Sequence, residues 1–81
     1  MNNPEINLTT GTKYWYNDKY QLHRTDGPAI EWTNGYKAWY QNDKRHREDG
    51  PAYEGSSKLW FLNDAEYSEE VFYDLMGIMT R

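Results

Sequence analysis

Two histidines are the residues of this chain best suited by type to do chemistry, His23 and His46. A histidine can act as a general base or as a metal ligand. Each here opens the same heptad. His23-Arg24-Thr25-Asp26-Gly27-Pro28-Ala29 returns 23 residues later as His46-Arg47-Glu48-Asp49-Gly50-Pro51-Ala52, with six of seven positions identical. A catalytic site needs unlike groups converging once, whereas a motif copied whole behaves as a building unit. Two histidines with no cysteine and no close-spaced carboxylate ligands also make a poor zinc site. No catalytic residue, metal or cofactor is therefore expected, and the chain reads as a protein that is not an enzyme.

The heptad has a direct physical reading as a joint. Glycine reaches backbone angles closed to other residues, and the proline after it fixes the next φ. Asp26 and Asp49 can hydrogen-bond backbone groups in the turn. The His-Arg pair can then reach the aspartate of its own or the neighbouring copy.

The elements around the heptads repeat as well. Trp15-Tyr16 corresponds to Trp39-Tyr40 and Trp60-Phe61, and Asn17-Asp18 to Asn42-Asp43 and Asn63-Asp64. Lys13, Lys37 and Lys58 each stand two before the tryptophan, and Ile6, Ile30 and Tyr53 each follow a proline by two. Repeats are expected at 4–27, 28–50 and 51–67, in a single domain over 1–81. The first carries one extra residue between its tryptophan and its histidine. The third has Tyr67-Ser68 where the others have His-Arg. Self-similarity at this period is the signature of a stacked fold in which each unit touches its neighbours.

Within each copy the pattern is that of strands and tight turns. Residues 6–9 alternate and Thr10-Gly11 turns them; 13–16 form an aromatic strand that Asn17-Asp18 turns into 20–23. The second copy reads 29–32, the turn Thr33-Asn34-Gly35, then 36–40, and Asn-Gly between alternating apolar runs is a strong hairpin signal. The third reads 52–54, Gly55-Ser56-Ser57, then 58–62. The expected fold class is mainly β, an antiparallel meander of hairpins capped by a C-terminal helix. That helix is expected over 68–79, with Ser68 as N-cap and Glu69 and Glu70 at its positive end. Phe72, Leu75, Met76 and Met79 share its inner face, Tyr67 and Phe72 take the two places of a hydrophobic staple, and Gly77 can end it early.

Composition supports an ordered chain of 81 residues with an aromatic core. Leu, Ile, Val and Phe number only eleven, but eight Tyr and four Trp bring large buried area per residue. Regularly spaced tryptophans are read as core rather than as a base-stacking surface, because nine basic residues against thirteen acidic ones disfavour direct nucleic-acid binding. No apolar run is long enough to span a membrane and the amino terminus is polar, so no membrane and no signal peptide are expected.

The distribution of charge says more than its sum. Residues 1–58 carry eight acids and eight bases, so the net charge of −4 sits on 59–81. There Asp64, Glu66, Glu69, Glu70 and Asp74 face only Arg81. One reading is a solvated helix surface. The other is a docking face for a basic partner protein, built from Glu66, Glu69, Glu70, Tyr73 and Asp74, with Glu70, Tyr73 and Asp74 outward.

The alternation of Trp, an Asn-Asp or Asn-Gly turn, His and Gly at a 23-residue step resembles a divergent MORN repeat, from Pro4 to Tyr67. The His-Arg-x-Asp-Gly-Pro-Ala form is similar to repeats of small proteins encoded by tailed bacteriophages. MORN repeats usually have Gly after His, where this chain has Arg24 and Arg47, and the step from Trp to His is longer here. Lipid binding is not carried over, since this surface is not basic. The resemblance implies a phage-encoded protein in the host cytoplasm that binds and inhibits a host protein, such as a nuclease or another defence component. Its acidic face would then imitate nucleic-acid phosphates. The alternative it leaves open is a structural or scaffold part that self-associates as a homo-oligomer.

Overall fold

The computed structural model describes residues 3–77. Among these residues nine strands precede one helix: β1 (Glu5–Ile6), β2 (Lys13–Tyr14), β3 (Ile30–Glu31), β4 (Lys37–Ala38), β5 (Tyr40–Gln41), β6 (Lys44–Arg45), β7 (Tyr53–Glu54), β8 (Lys58–Leu62), β9 (Ala65–Tyr67) and α1 (Glu69–Met76). Seven strands form one antiparallel meander in the order β1-β2-β3-β4-β7-β8-β9, and β5-β6 make a separate hairpin. The protein is mainly β with one C-terminal helix, as its turn signals require.

Register places a row of alternating charge across the sheet. Lys13 pairs with Glu31, Glu31 with Lys37, Lys37 with Glu54, and Glu54 with Lys58. Opposite charges directly across antiparallel strands attract, and the Glu31 and Glu54 carboxylates of the row pair with Arg24 and Arg47. Side chains alternate faces along a strand, so Trp15, Trp39 and Trp60 share the face of this row. Tyr14, Ile30, Ala38, Tyr53 and Leu59 belong to the other face.

The hairpins differ in a way that one residue explains. Asn42-Asp43 and Asn63-Asp64 close two-residue loops, with φ of 52° and 68° in one and 49° and 71° in the other. Two consecutive left-handed residues make a type I′ turn, whose twist matches the strands, and Asn and Asp tolerate those angles. The extra residue of the first copy forbids this turn. Its loop runs 18–20: Tyr20 N–H donates to Asn17 O and Asn17 N–H to Gln21 O, both at 2.9 Å, with Tyr20 at φ 59°. Residues 20–23 are consequently not a strand, and one bridge, Tyr16 to Leu22, remains of the expected pairing. Thr33-Asn34-Gly35 uses the same three-residue form, with Gly35 in the left-handed position at φ 93°.

The first strand is also shorter than its alternation predicts. Asn7 Oδ1 accepts from Thr9 N–H at 2.9 Å and Thr10 N–H at 3.1 Å, turning the chain directly after Ile6. Leu8 is left 96 % exposed. Side-chain bonding to the local backbone here outcompetes the ladder.

The core is part aromatic and part alanine. Trp15, Ile30, Phe61 and Phe72 are buried, together with Ala29, Ala38 and Ala52. Trp39 and Trp60 are half-buried rather than enclosed. The alanines sit where strand and turn meet closely: Trp15 N–H donates to Ala29 O at 2.9 Å and Trp39 N–H to Ala52 O at 2.7 Å.

Helix α1 begins at Ser68, whose hydroxyl accepts from Val71 N–H at 3.3 Å, and ends at Gly77 in the left-handed conformation, φ 72°. The expected end of the helix at 79 and the inner place of Met79 lie outside the described residues. Within them the inner face differs from the expected one. Phe72 is fully buried and Tyr73 and Met76 are half-buried, while Leu75 is 54 % exposed.

Candidate functional site

The two heptads build the same joint. Arg24 Cζ lies 3.9 Å from the Trp15 ring centroid, and Arg47 Cζ 3.8 Å from that of Trp39. Each guanidinium also donates to the aspartate two residues on (Asp26 at 2.9 Å, Asp49 at 2.8 Å). Each donates further to a proline carbonyl (Pro28 at 3.1 Å, Pro51 at 3.0 Å) and a strand glutamate (Glu31 at 3.3 Å, Glu54 at 3.1 Å). A planar five-donor cation suits this role, stacking on the indole while its edge is used by acceptors. The aspartates therefore serve their own copy.

Glycine in the heptad has a different reason from the one its type suggests. Neither Gly27 nor Gly50 has a positive φ. A Cβ at Gly27 would stand 2.9 Å from Arg24 Cζ, and one at Gly50 3.0 Å from Arg47 Cζ. These glycines leave room for the close approach of the guanidinium and do not hold a left-handed backbone.

The histidines tie one copy to the next. His23 Nδ1 accepts the N–H of Asn42 at 3.1 Å, and His46 Nδ1 that of Asn63 at 3.0 Å. An accepting Nδ1 leaves the proton on Nε2, which in His46 donates to Glu48 Oε2 at 2.9 Å. Both ring nitrogens of His46 thus have work in the fold. Among the described residues no group of three or more His, Asp or Glu side chains is placed to hold a metal ion.

The third copy ends this pattern. With Ser68 in the arginine position, no guanidinium among the described residues covers Trp60. The helix does so: Tyr73 meets the Trp60 ring edge-on at 6.3 Å and Phe72 meets Tyr73 at 5.1 Å. Tyr73 is therefore not on the outward face with Glu70 and Asp74, because the tryptophan it covers has lost its arginine.

The remaining residues of the acidic set are outward. Glu66 lies on β9 opposite Phe61, and Glu69 and Glu70 form the first turn of α1; all three are exposed, as is Asp74. Asp64 stands apart from them. Its carboxylate accepts from Arg45 Nε and from Arg45 N–H, both at 2.9 Å. These bonds hold the Asp64 carboxyl below the ordinary range and raise the Arg45 guanidinium. Arg45 also lies 4.3 Å over the Phe61 ring, so a base of the second copy neutralises an acid of the third.

The outward arc of α1 holds Val71, which the helical pattern did not single out, and Leu75, which that pattern assigned to the inner face. Val71 is 46 % and Leu75 54 % exposed, one turn apart and next to the Glu70/Asp74 pair. Helical period alone does not find them: seating Tyr73 on Trp60 turns Leu75 out.

No helix among the described residues is long and apolar enough to cross a membrane. The chain matches no family model, no characterised protein and no solved structure.

Proposed function

We propose that this chain is a non-catalytic protein-binding module that docks a basic partner through the acidic end of the molecule. One observation carries the reading. The arginines of the heptads are engaged with carboxylates of the heptad and of the following strand, Arg24 with Asp26 and Glu31, Arg47 with Asp49 and Glu54. Glu66, Glu69 and Glu70, by contrast, form no ion pair or hydrogen bond among the described residues and stand exposed at one end. Unneutralised charge gathered on one surface steers encounter with an oppositely charged one and selects against like-charged partners.

The wider identity of the partner is drawn from the resemblance of the heptads to phage-encoded repeats. On that ground the module is an inhibitor of a host defence protein or nuclease, acting by direct binding in the host cell. The test is affinity capture from bacterial lysate with wild type and with Glu70→Lys/Asp74→Lys. Calorimetry of any captured protein at two salt concentrations then follows. A stoichiometric partner whose binding weakens with salt, and at least tenfold in the double variant, supports the reading. Self-association alone would replace it with the scaffold role.

A further inference from the structure

The outward face of α1 is not uniformly acidic. At about 100° per residue, Glu70 and Asp74 form one row along the helix and Val71 and Leu75 a second row beside it, each pair one turn apart. Phe72, Tyr73 and Met76 take the opposite side against β8. A helix that buries one apolar stripe normally gives its other face to polar residues. This one exposes two branched aliphatic side chains at 46 % and 54 %, bordered by carboxylates.

We infer that the Val71/Leu75 row is the apolar anchor of the docking surface, and that its occupant is a protein groove, apolar along its floor and lined by lysine or arginine on one side. The inference rests on the acidic-end reading above and narrows its partner class. Residues at i and i+4 on one helix face are the anchors by which helices seat in apolar grooves. The neighbouring Glu70 and Asp74 determine the charge that the groove must carry. A site shaped to hold a phosphate backbone offers cations but has no use for aliphatic side chains, so the two rows favour a groove-bearing protein surface over a nucleic-acid site. A second copy of this chain is disfavoured by the same charges, which would bring carboxylates against carboxylates.

The experiment uses two probes on the full chain. One is a synthetic amphipathic helical peptide of leucine and lysine, and the other is oligolysine of equal charge. Binding is read by fluorescence anisotropy at two salt concentrations for wild type, Val71→Gln/Leu75→Gln and Glu70→Gln/Asp74→Gln. The melting temperature of each variant is checked against wild type. The expected result is that wild type prefers the leucine-lysine peptide, and that removing the aliphatic row weakens that peptide at least tenfold while leaving oligolysine binding unchanged. Removing the carboxylates should flatten the salt dependence. Equal binding of both probes to wild type, or no loss in the Val71→Gln/Leu75→Gln variant, overturns the anchor while leaving the acidic reading in place. Loss in that variant with no effect of Glu70→Gln/Asp74→Gln keeps the anchor and overturns the acidic reading. Binding of neither probe, or concentration-dependent self-association that the aliphatic substitutions abolish, counts against the inference.

Discussion

Trp39 and Trp60 occupy equivalent places in successive copies, yet they are covered by different chemistry. Over Trp39 lies a guanidinium held at three acceptors, one of them on the neighbouring strand. Over Trp60 lies the edge of a tyrosine carried by a helix. The first solution propagates, because each arginine is also tied to the next copy: Arg24 N–H donates to Tyr40 O and Arg47 N–H to Phe61 O. The second terminates, because a helix has no strand edge to offer. Where the arginine is replaced by a helix that covers the tryptophan, the far side of that helix faces solvent, and it carries the exposed Glu70, Val71, Asp74 and Leu75.

The comparison can be broken most severely at the cap. Among the described residues Phe72 is the one large side chain that is fully buried. Phe72→Ala should cost about 3–5 kcal/mol by lost transfer energy and cavity formation. Denaturant unfolding measures it, and a loss under 1 kcal/mol would show that the helix does not seal Trp60. At the joint, Arg47→Leu keeps some cover on Trp39 but strips partners from Asp49, Glu54 and the Pro51 carbonyl. It should cost about 2–3 kcal/mol. Arg47→Lys should recover only part of that, since an ammonium does not stack or fork as a guanidinium does.

A subtler variant sharpens the role of glycine. Gly50→Ala places a methyl against Arg47 without any left-handed strain, so it should cost about 1–2 kcal/mol in wild type. In the Arg47→Leu background most of that cost should vanish. Additive losses in the double-mutant cycle would contradict the assigned contact.

These positions also show what could be read from the residues alone. The copied heptad, the Asn-Gly hairpin, the Ser68 cap and the Gly77 stop are local signals, and the chain obeys them because nothing distant competes. The turn at Asn7, the loop at Tyr20 and the inward face of Tyr73 depend on competition. At Asn7 a side chain captures two backbone donors before the strand can lengthen. At Tyr20 the extra residue excludes the two-residue turn that its neighbours use. At Tyr73 helical periodicity allows two inner faces, and the bare Trp60 selects between them. Of the acidic site, Glu66, Glu69, Glu70 and Asp74 were legible as charge, whereas Val71 and Leu75 emerge only once the helix is rotated by its packing. The heptad glycines signal a special backbone by their type but serve the approach of a guanidinium, which leaves no mark in local sequence.

Tyr20 provides a pH signature of the irregular first hairpin. Its hydroxyl donates to Glu5 Oε1 at 2.8 Å, and that bond pushes its phenol up to about 12. A phenol whose folded pKa is raised stabilises the fold below its unfolded value near 10, and that contribution is lost as pH rises through about 12. Absorbance titration should find Tyr20 ionising late, and Glu5→Gln should return it toward the ordinary phenol value near 10. An unchanged titration in that variant would remove the contact.

The central claim is that the heptads hold the molecule together while the exposed acidic end binds. Thermal melts of Arg47→Leu and of Glu70→Lys/Asp74→Lys, in one buffer beside wild type, test it most directly. For a domain of this size 1 kcal/mol corresponds to about 4–8 °C. The account predicts a fall of about 10 °C or more for Arg47→Leu. The charge reversal should change stability by about 1 kcal/mol or less, since both carboxylates are exposed. A charge-reversed cap that melts as low as the arginine variant, or an arginine variant that melts with wild type, would contradict it.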